Sequence, residues 1–245
     1  PTETLNTTTK SQPAIFTTSA ALLAVLRSEQ ATAGITADIT AGLSLGEYTA
    51  LYAAGVVSFE DGLKLVKKRG EAMQAAADTT DGAMVSIIGL DEEKVRTLCD
   101  KASEGQLLEP VNFDCPGQIV VSGTIAACER AVQIAPEYGA IKAIRLEVAG
   151  AFHTEMMAGA ANALRQALAE CQITPPTTTK VLANINANYY PSPTAIVDGL
   201  ADQLTSPILW QKCMERLLGE GVERFYEIGP GRVLTGLMRR IDRKT

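Results

Sequence analysis

Short apolar stretches alternate with amphipathic ones along most of the chain. Apolar side chains recur on one helical face of residues 13–27, which predicts a helix. The β-branched stretch at residues 35–40 predicts a strand, and the alanine-rich apolar run at residues 48–57 favours a second helix. Outside residues 83–148, this alternation predicts an α/β fold with a parallel sheet covered by helices.

Residues 83–148 follow a different order. The predicted elements are a strand at 83–88, a helix at 91–102, strands at 107–113 and 118–122, a helix at 125–138 and a strand at 141–148. This β-α-β-β-α-β order is ferredoxin-like. We therefore expect a core of residues 1–82 and 149–245, into which a small subdomain of residues 83–148 is inserted.

The two ends of the chain complete the pattern. Residues 1–11 are polar and rich in threonine, which predicts an arm or loop. After the insert, residues 180–185 and 222–228 each have the pattern of a strand. A Gly-Pro-Gly turn at residues 229–231 leads from the second of these into a predicted helix at residues 233–241.

Composition excludes several classes of protein. The chain has 245 residues, of which 46% are hydrophobic and 20% charged, so it can bury a core. Its formal net charge of −6 argues against a general nucleic-acid binder. No apolar run is long enough to span a membrane, so we expect no membrane association. No signal peptide is visible, although the chain begins with Pro1 rather than Met.

Cysteine usage indicates a reducing compartment. The five cysteines are an odd number, and no two of them have C-x-x-C spacing. A disulfide framework or a zinc site is therefore not expected, and the cytoplasm is the expected location.

A Gly-x-Ser-x-Gly motif at residues 42–46, within the stretch 42–48, lies between the predicted strand and helix. This context is that of a nucleophile elbow, which would present the Ser44 hydroxyl above the sheet. The backbone N–H of Leu45 would then point to a developing oxyanion. The motif is short, however, and the same pattern also occurs in ordinary loops.

The only histidine of the chain is His153, in a glycine-containing turn directly after the insert. If an imidazole activates Ser44, it must be this one. A histidine at a helix N-terminus that serves only structure is the alternative. No acidic residue stands out as the third member of a triad, so a backbone carbonyl could orient the ring instead.

Four motifs together resemble one family. They are residues 42–48, 116–118, 150–153 and 227–237, and they occur in order over almost the whole chain. They are similar to the malonyl-CoA:acyl carrier protein transacylases of type II fatty acid synthesis. The acyltransferase domains of polyketide synthases are related to these enzymes.

The resemblance implies an α/β-hydrolase-like core with a parallel sheet and a ferredoxin-like insert. It also implies ping-pong transfer, in which Ser44 takes a malonyl group from malonyl-CoA with His153 as base. The phosphopantetheine thiol of acyl carrier protein then takes the malonyl group from Ser44. No metal or redox cofactor is expected, and monomer is the default expectation for the oligomeric state.

The resemblance also assigns two further residues. Arg69 aligns with the arginine that holds the malonyl carboxylate, a role that suits the planar guanidinium. Helical spacing alone leaves Arg69 open between surface and pocket. Gln203 aligns with a glutamine that orients the catalytic histidine, through its carbonyl.

Two features depart from the family. Leu43 stands where the family usually has histidine, which implies altered local packing with the chemistry retained. The family also begins with a strand and a Gly-Gln-Gly-type loop that supplies a second oxyanion N–H, and residues 1–12 contain no match. We therefore expect that this piece precedes Pro1 in the complete protein.

Two other functions stay open at this point. A serine esterase or thioesterase-type hydrolase could use the same elbow, and a non-catalytic relative could bind carrier proteins only. A basic cluster near the C-terminus is the best local candidate for docking an acidic carrier protein, although a solvated helix end explains it equally well. Its members are Arg232, Arg239, Arg240, Arg243 and Lys244.

Overall fold

The computed structural model describes residues 7–29 and 35–244. The helices are α1 (Thr8–Ser28), α2 (Gly46–Ala53), α3 (Phe59–Asp78), α4 (Glu92–Ser103), α5 (Ile125–Ile134), α6 (Ala158–Ala169), α7 (Pro193–Asp202), α8 (Trp210–Gly219) and α9 (Val233–Ile241). The strands are β1 (Ile39–Thr40), β2 (Gly82–Ile88), β3 (Leu108–Cys115), β4 (Gln118–Thr124), β5 (Lys142–Arg145) and β6 (Lys180–Val181). The mixed α/β class is therefore as predicted.

The parallel sheet is short in the described part of the chain. It consists of β1 and β6, with Ile39 opposite Lys180 and Thr40 opposite Val181. The predicted strand at residues 222–228 is wrong, because this stretch has no regular secondary structure. A strand needs a neighbour to accept and donate its backbone hydrogen bonds, and no described segment pairs with this one.

A four-stranded antiparallel sheet forms the second layer, with the strand order β3-β4-β2-β5. Its elements occur in the order β-α-β-β-α-β that the sequence predicts. Helices α4 and α5 cover it and share a separate apolar cluster with it, which includes Val85, Leu98, Val121 and Ala131. The boundaries of the two domains stay a prediction.

Helix α1 begins earlier than the sequence predicts. The polar arm predicted for residues 1–11 is helical from Thr8 onward, and residues 1–6 lie outside the described part of the chain. A tertiary contact explains the difference, since Thr8 Oγ1 donates a 2.8 Å hydrogen bond to the carbonyl of Gly70. A Cβ on Gly70 would lie 2.4 Å from the Thr8 carbonyl oxygen, so only glycine permits this approach.

Helix α3 is the central helix of the core. The side chain of Ser58 caps its N-terminus by accepting a 3.0 Å hydrogen bond from the Asp61 N–H. One face packs against α1 and the other against α6. Close packing against α1 depends on Gly62, where a Cβ would lie 2.5 Å from the ring of Phe16. The helix therefore has buried positions midway along its length, and Arg69 occupies one of them.

Candidate active site

Ser44 lies in the tight turn between β1 and α2. Its φ of 49° is in the left-handed region, which a residue with a side chain adopts only when its surroundings hold it there. A Cβ on Gly42 would lie 2.0 Å from the Gly46 backbone, so the turn cannot form without glycine at this position. The strand-turn-helix context that the motif predicts is thus present.

The side chain of Asn184 makes two hydrogen bonds to the backbone of this turn. Its Oδ1 accepts a 2.6 Å hydrogen bond from the Ser44 N–H, and its Nδ2 donates a 2.8 Å bond to the Gly42 carbonyl. The Asn184 side chain is completely buried. One amide therefore pairs two backbone groups that the strained turn leaves without partners. The sequence analysis did not single out this residue.

The N–H of Leu45, the predicted oxyanion donor, lies at the start of α2. It makes no hydrogen bond with any other described residue. The group is therefore available to a ligand atom next to Ser44, at the positive end of the helix.

His153 lies against Ser44, as the sequence predicts. Its Nε2 is 3.0 Å from Ser44 Oγ, and its Nδ1 is 2.7 Å from the backbone carbonyl of Gln203. A carbonyl accepts only, so Nδ1 carries the proton and Nε2 has its lone pair toward the serine hydroxyl. Burial, and secondly the charge of Arg69, lower the pKa of His153 to about 4. The ring is therefore neutral at physiological pH and can act as a base.

Arg69 points into the same site. The side chain is 1% exposed, and Nη2 donates to Ser44 Oγ at 2.9 Å. Two amide oxygens hold the guanidinium: Gln12 Oε1 is 2.7 Å from Nη1, and Gln203 Oε1 is 3.0 Å from Nη2. No carboxylate in the part of the chain that the structure describes forms an ion pair with it. A buried cation without an ionic partner next to a nucleophile is a site for an anionic group.

Gln203 makes hydrogen bonds with Ser44, His153 and Arg69. Its backbone carbonyl accepts from His153 Nδ1, while its side-chain Oε1 accepts from Arg69 Nη2. The side-chain Nε2 donates to the Ser44 carbonyl at 3.1 Å and to Glu47 Oε2 at 2.7 Å. Its role in orienting the histidine stays a prediction, and the contacts of its side-chain amide add to what the resemblance implies.

Glu47 is a completely buried carboxyl group on the first turn of α2. It accepts from Gln203, from the Tyr190 hydroxyl and, at 3.3 Å, from the Asn184 N–H. Burial raises its pKa to about 7, against the opposing effect of these hydrogen bonds and of the Arg69 charge. Sequence reasoning recorded Glu47 only as part of the elbow motif, and overlooked Gln12, which precedes Pro13.

Comparison with known proteins identifies the family of this chain. The model of the acyl transferase domain family matches residues 1–241. The malonyl CoA-acyl carrier protein transacylase of Bacillus subtilis is 44% identical over 243 residues, which are 99% of this chain and 75% of that protein. The chain belongs to the malonyl CoA-acyl carrier protein transacylase family.

Solved structures of malonyl CoA-acyl carrier protein transacylases have the same fold. The enzyme from Coxiella burnetii is 36% identical with a TM-score of 0.95, covering 100% of this chain and 76% of its own. A malonyl-transacylase solved in complex with a type II polyketide synthase acyl-carrier protein is 39% identical, with a TM-score of 0.93. The alignment covers 100% of this chain and 78% of that one.

Leu43 directly precedes the nucleophile, at the position where the resemblance implies a histidine. Its side chain is half-buried and packs against the apolar cluster that includes Leu182, Trp210 and Leu237. A leucine side chain has no polar group, so it affects the elbow through packing.

All five cysteines are free, and only Cys171 is not fully buried. Within residues 7–29 and 35–244, no group of three His, Cys, Asp or Glu side chains could hold a metal ion. Over the same residues, no helix combines the length and the apolar character needed to cross a membrane.

Proposed function

We propose that this chain transfers a malonyl group from malonyl-CoA to the phosphopantetheine thiol of an acyl carrier protein, by way of malonyl-Ser44. One observation carries the choice of acyl group: the buried Arg69 guanidinium lies 2.9 Å from Ser44 Oγ and has no carboxylate partner among the described residues. A malonyl group on Ser44 would bring a carboxylate to this cation.

The first half-reaction uses the serine–histidine pair. His153 Nε2 takes the hydroxyl proton while Ser44 Oγ attacks the thioester carbonyl. The Leu45 N–H donates to the resulting oxyanion. The carbon–sulfur bond then breaks, the coenzyme A sulfur takes the proton from His153, and malonyl-Ser44 is left.

Selectivity follows from the charge of Arg69. The guanidinium can grip the malonyl carboxylate with two parallel hydrogen bonds. An acetyl group has no carboxylate and would leave this buried cation without an ionic partner. Such an unpaired charge costs about 2–5 kcal/mol, which is enough to select a diacid half-ester over acetyl.

The second half-reaction reverses the first with a different thiol. The phosphopantetheine thiol gives its proton to His153 and attacks the carbonyl of malonyl-Ser44. The ester bond breaks, and the serine oxygen recovers the proton. This scheme needs no metal ion or redox cofactor, because it exchanges one acyl bond for another without a change in oxidation state. The protein side chains that act in it all belong to one copy of the chain, so the scheme does not require a second copy.

A hydrolase is the second candidate, because water could replace the carrier thiol at malonyl-Ser44. The histidine here is oriented by the Gln203 backbone carbonyl rather than by an acid. That arrangement activates either nucleophile. The fate of the acyl group therefore distinguishes the two functions.

The test is intact mass spectrometry of the purified chain after mixing with malonyl-CoA. The proposal predicts a malonyl adduct on the unaltered chain and none on Ser44→Ala. Rapid release of coenzyme A and malonate without an adduct would favour the hydrolase. The absence of both an adduct and coenzyme A release would contradict both functions and favour a binding-only relative.

A further inference from the structure

Glu47 lies behind the elbow, and its side chain is completely buried. Its carboxyl oxygens receive hydrogen bonds from three donors, Gln203 Nε2, the Tyr190 hydroxyl and the Asn184 N–H. Like Arg69, it forms no ion pair within the described residues. A carboxyl group is expensive to bury, and the chemistry of the reaction proposed above does not use it.

The contact with Gln203 determines which way that amide points. The oxygen and the NH₂ group of an amide have nearly the same shape, so its orientation is set by its partners. Here Nε2 faces two acceptors, the carboxyl group of Glu47 and the carbonyl of Ser44, while Oε1 faces the donor Nη2 of Arg69. The reversed amide would set its oxygen against two acceptors and its NH₂ group against a guanidinium.

The amide orientation in turn holds Arg69. With Gln203 Oε1 on Nη2 and Gln12 Oε1 on Nη1, two neutral oxygens fix the plane of the guanidinium. Neutral acceptors leave its charge uncompensated. The acyl carboxylate is then the group that supplies the ionic partner.

We propose that Glu47 is a positioning residue for acyl selectivity: its carboxyl group fixes the Gln203 amide, and the amide fixes Arg69 for an anionic acyl group. This inference rests on the proposed function, because it takes the transferred acyl group to be malonyl. The contact from Glu47 through Gln203 to Arg69 is independent of that function.

The test compares single-turnover acylation of Ser44 by malonyl-CoA and by acetyl-CoA. Glu47→Met keeps the length of the side chain but removes the acceptor, whereas Glu47→Gln keeps one acceptor oxygen. Loss of a hydrogen bond to a charged group that stabilises the transition state lowers a rate about ten- to hundredfold. We expect the methionine variant to lose about that factor with malonyl-CoA and less than about threefold with acetyl-CoA. The glutamine variant should stay within about threefold for both.

Two controls separate positioning from general damage. Glu60→Gln makes the same change on an exposed glutamate in the first turn of α3 and should change neither rate. In an Arg69→Ala background, Glu47→Met should cause no further loss of malonyl preference, because its effect passes through Arg69. Equal losses with both thioesters, or an additional loss of preference in that background, would overturn the proposal.

A measurement on the unaltered chain covers the case in which the methionine variant does not fold. The side-chain amide of Gln203 should give a slowly exchanging ¹⁵N-resolved signal that shifts as Glu47 titrates, and this shift should vanish in Glu47→Gln. The other titratable or charged groups around Glu47 are Tyr48, Arg69, Tyr190 and Cys213. These groups are common to both proteins, so the difference isolates Glu47.

A rapidly exchanging Gln203 amide whose signal does not depend on Glu47 would also overturn the proposal. If the unaltered chain is not acylated by malonyl-CoA while the Gln203 signal still depends on Glu47, the proposed function fails and the positioning contact stands. The two failures are thus distinguishable.

Discussion

The guanidinium of Arg69 donates to the hydroxyl oxygen of Ser44 across 2.9 Å, from a position that is 1% exposed. The cation that would hold the acyl carboxylate therefore touches the atom that would carry the acyl group. Since the two are in contact before substrate arrives, little reorganisation is needed when the acyl-enzyme forms.

Replacing Arg69 should exchange one acyl preference for another. Arg69→Ala removes the cation, so we expect acylation by malonyl-CoA to fall by about 2–5 kcal/mol of transition-state stabilisation, while acylation by acetyl-CoA is retained. The measurement is the ratio of the two second-order rate constants. Arg96→Ala is the control, because Arg96 lies on the surface and pairs with Glu92. A parallel fall in both rates would contradict the carboxylate role.

The pH dependence of acylation should reflect the lowered pKa of His153. The neutral ring is the base, and burial lowers its pKa from the ordinary 6.5 to about 4. His153 therefore loses its proton well below neutrality, and it should impose no fall in rate until the pH drops toward about 4. Stopped-flow acylation between about pH 4 and 8 tests this. A fall in the acylation rate with an apparent pKa near 6.5, seen in both the unaltered chain and Glu47→Gln, would contradict this prediction.

Glu47 should make the folded protein less stable as the pH rises. Its pKa is higher in the folded protein, at about 7, than the ordinary 4.5, so the folded state binds this proton more tightly. The stabilisation is complete below about pH 4.5 and is lost as the pH rises through 7. Glu47→Gln removes the effect, so the stability of this variant relative to the unaltered chain should rise by about 3 kcal/mol over that range.

Urea unfolding of both proteins at several pH values measures this difference. His153 has the opposite linkage, because its pKa is lowered, but it is present in both proteins and cancels. A difference between Glu47→Gln and the unaltered chain that does not change with pH would contradict the raised pKa.

The clamp of Asn184 on the nucleophile turn should be needed for reactivity as well as stability. Asn184→Ala leaves the Ser44 N–H and the Gly42 carbonyl buried without partners, at about 1–3 kcal/mol for each group. We expect a lower free energy of unfolding and slower acylation by both malonyl-CoA and acetyl-CoA. Asn186→Ala, on the exposed side of the same loop, removes only a local 2.9 Å bond and should have little effect.

The basic cluster near the C-terminus should matter for the carrier protein and not for coenzyme A. Arg240 is engaged, because it donates to Gln118 Oε1 and to the Pro116 carbonyl, whereas Arg239 and Arg243 are exposed. An Arg239→Glu, Arg243→Glu double variant should slow transfer to an acidic carrier protein, most strongly at low salt. Acylation by malonyl-CoA should not change. Unchanged transfer at low salt would place docking elsewhere.

The site was predictable where the signal is local or unique. The elbow follows from Gly42, Ser44 and Gly46 within five residues, and His153 follows from being the only histidine. The position of Arg69 in the pocket could not be predicted from helical spacing. Arg69 directly follows Lys67 and Lys68, which are exposed, so the spacing is compatible with either a surface or a buried position. It was expected only from the resemblance.

The other contacts of the site join residues that are far apart in the sequence, so no local pattern indicates them. Asn184 and Glu47 are 137 residues apart in the chain, and Gln203 and Ser44 are 159 apart. Whether an amide at such a position is a surface group or a clamp is decided by tertiary packing. The predicted strand at residues 222–228 failed for a related reason, since an apolar alternating pattern becomes a strand only beside a partner.

The central claim is that Ser44 carries malonyl from coenzyme A to a carrier thiol. The most direct measurement is transfer from isolated malonyl-enzyme, freed of malonyl-CoA, to a carrier protein, followed by intact mass of both proteins. We expect the malonyl mass to leave the enzyme and appear on the carrier bearing phosphopantetheine, and not on the carrier that lacks it. Release of free malonate without a malonyl-carrier product, at the same rate with either carrier, would contradict the account.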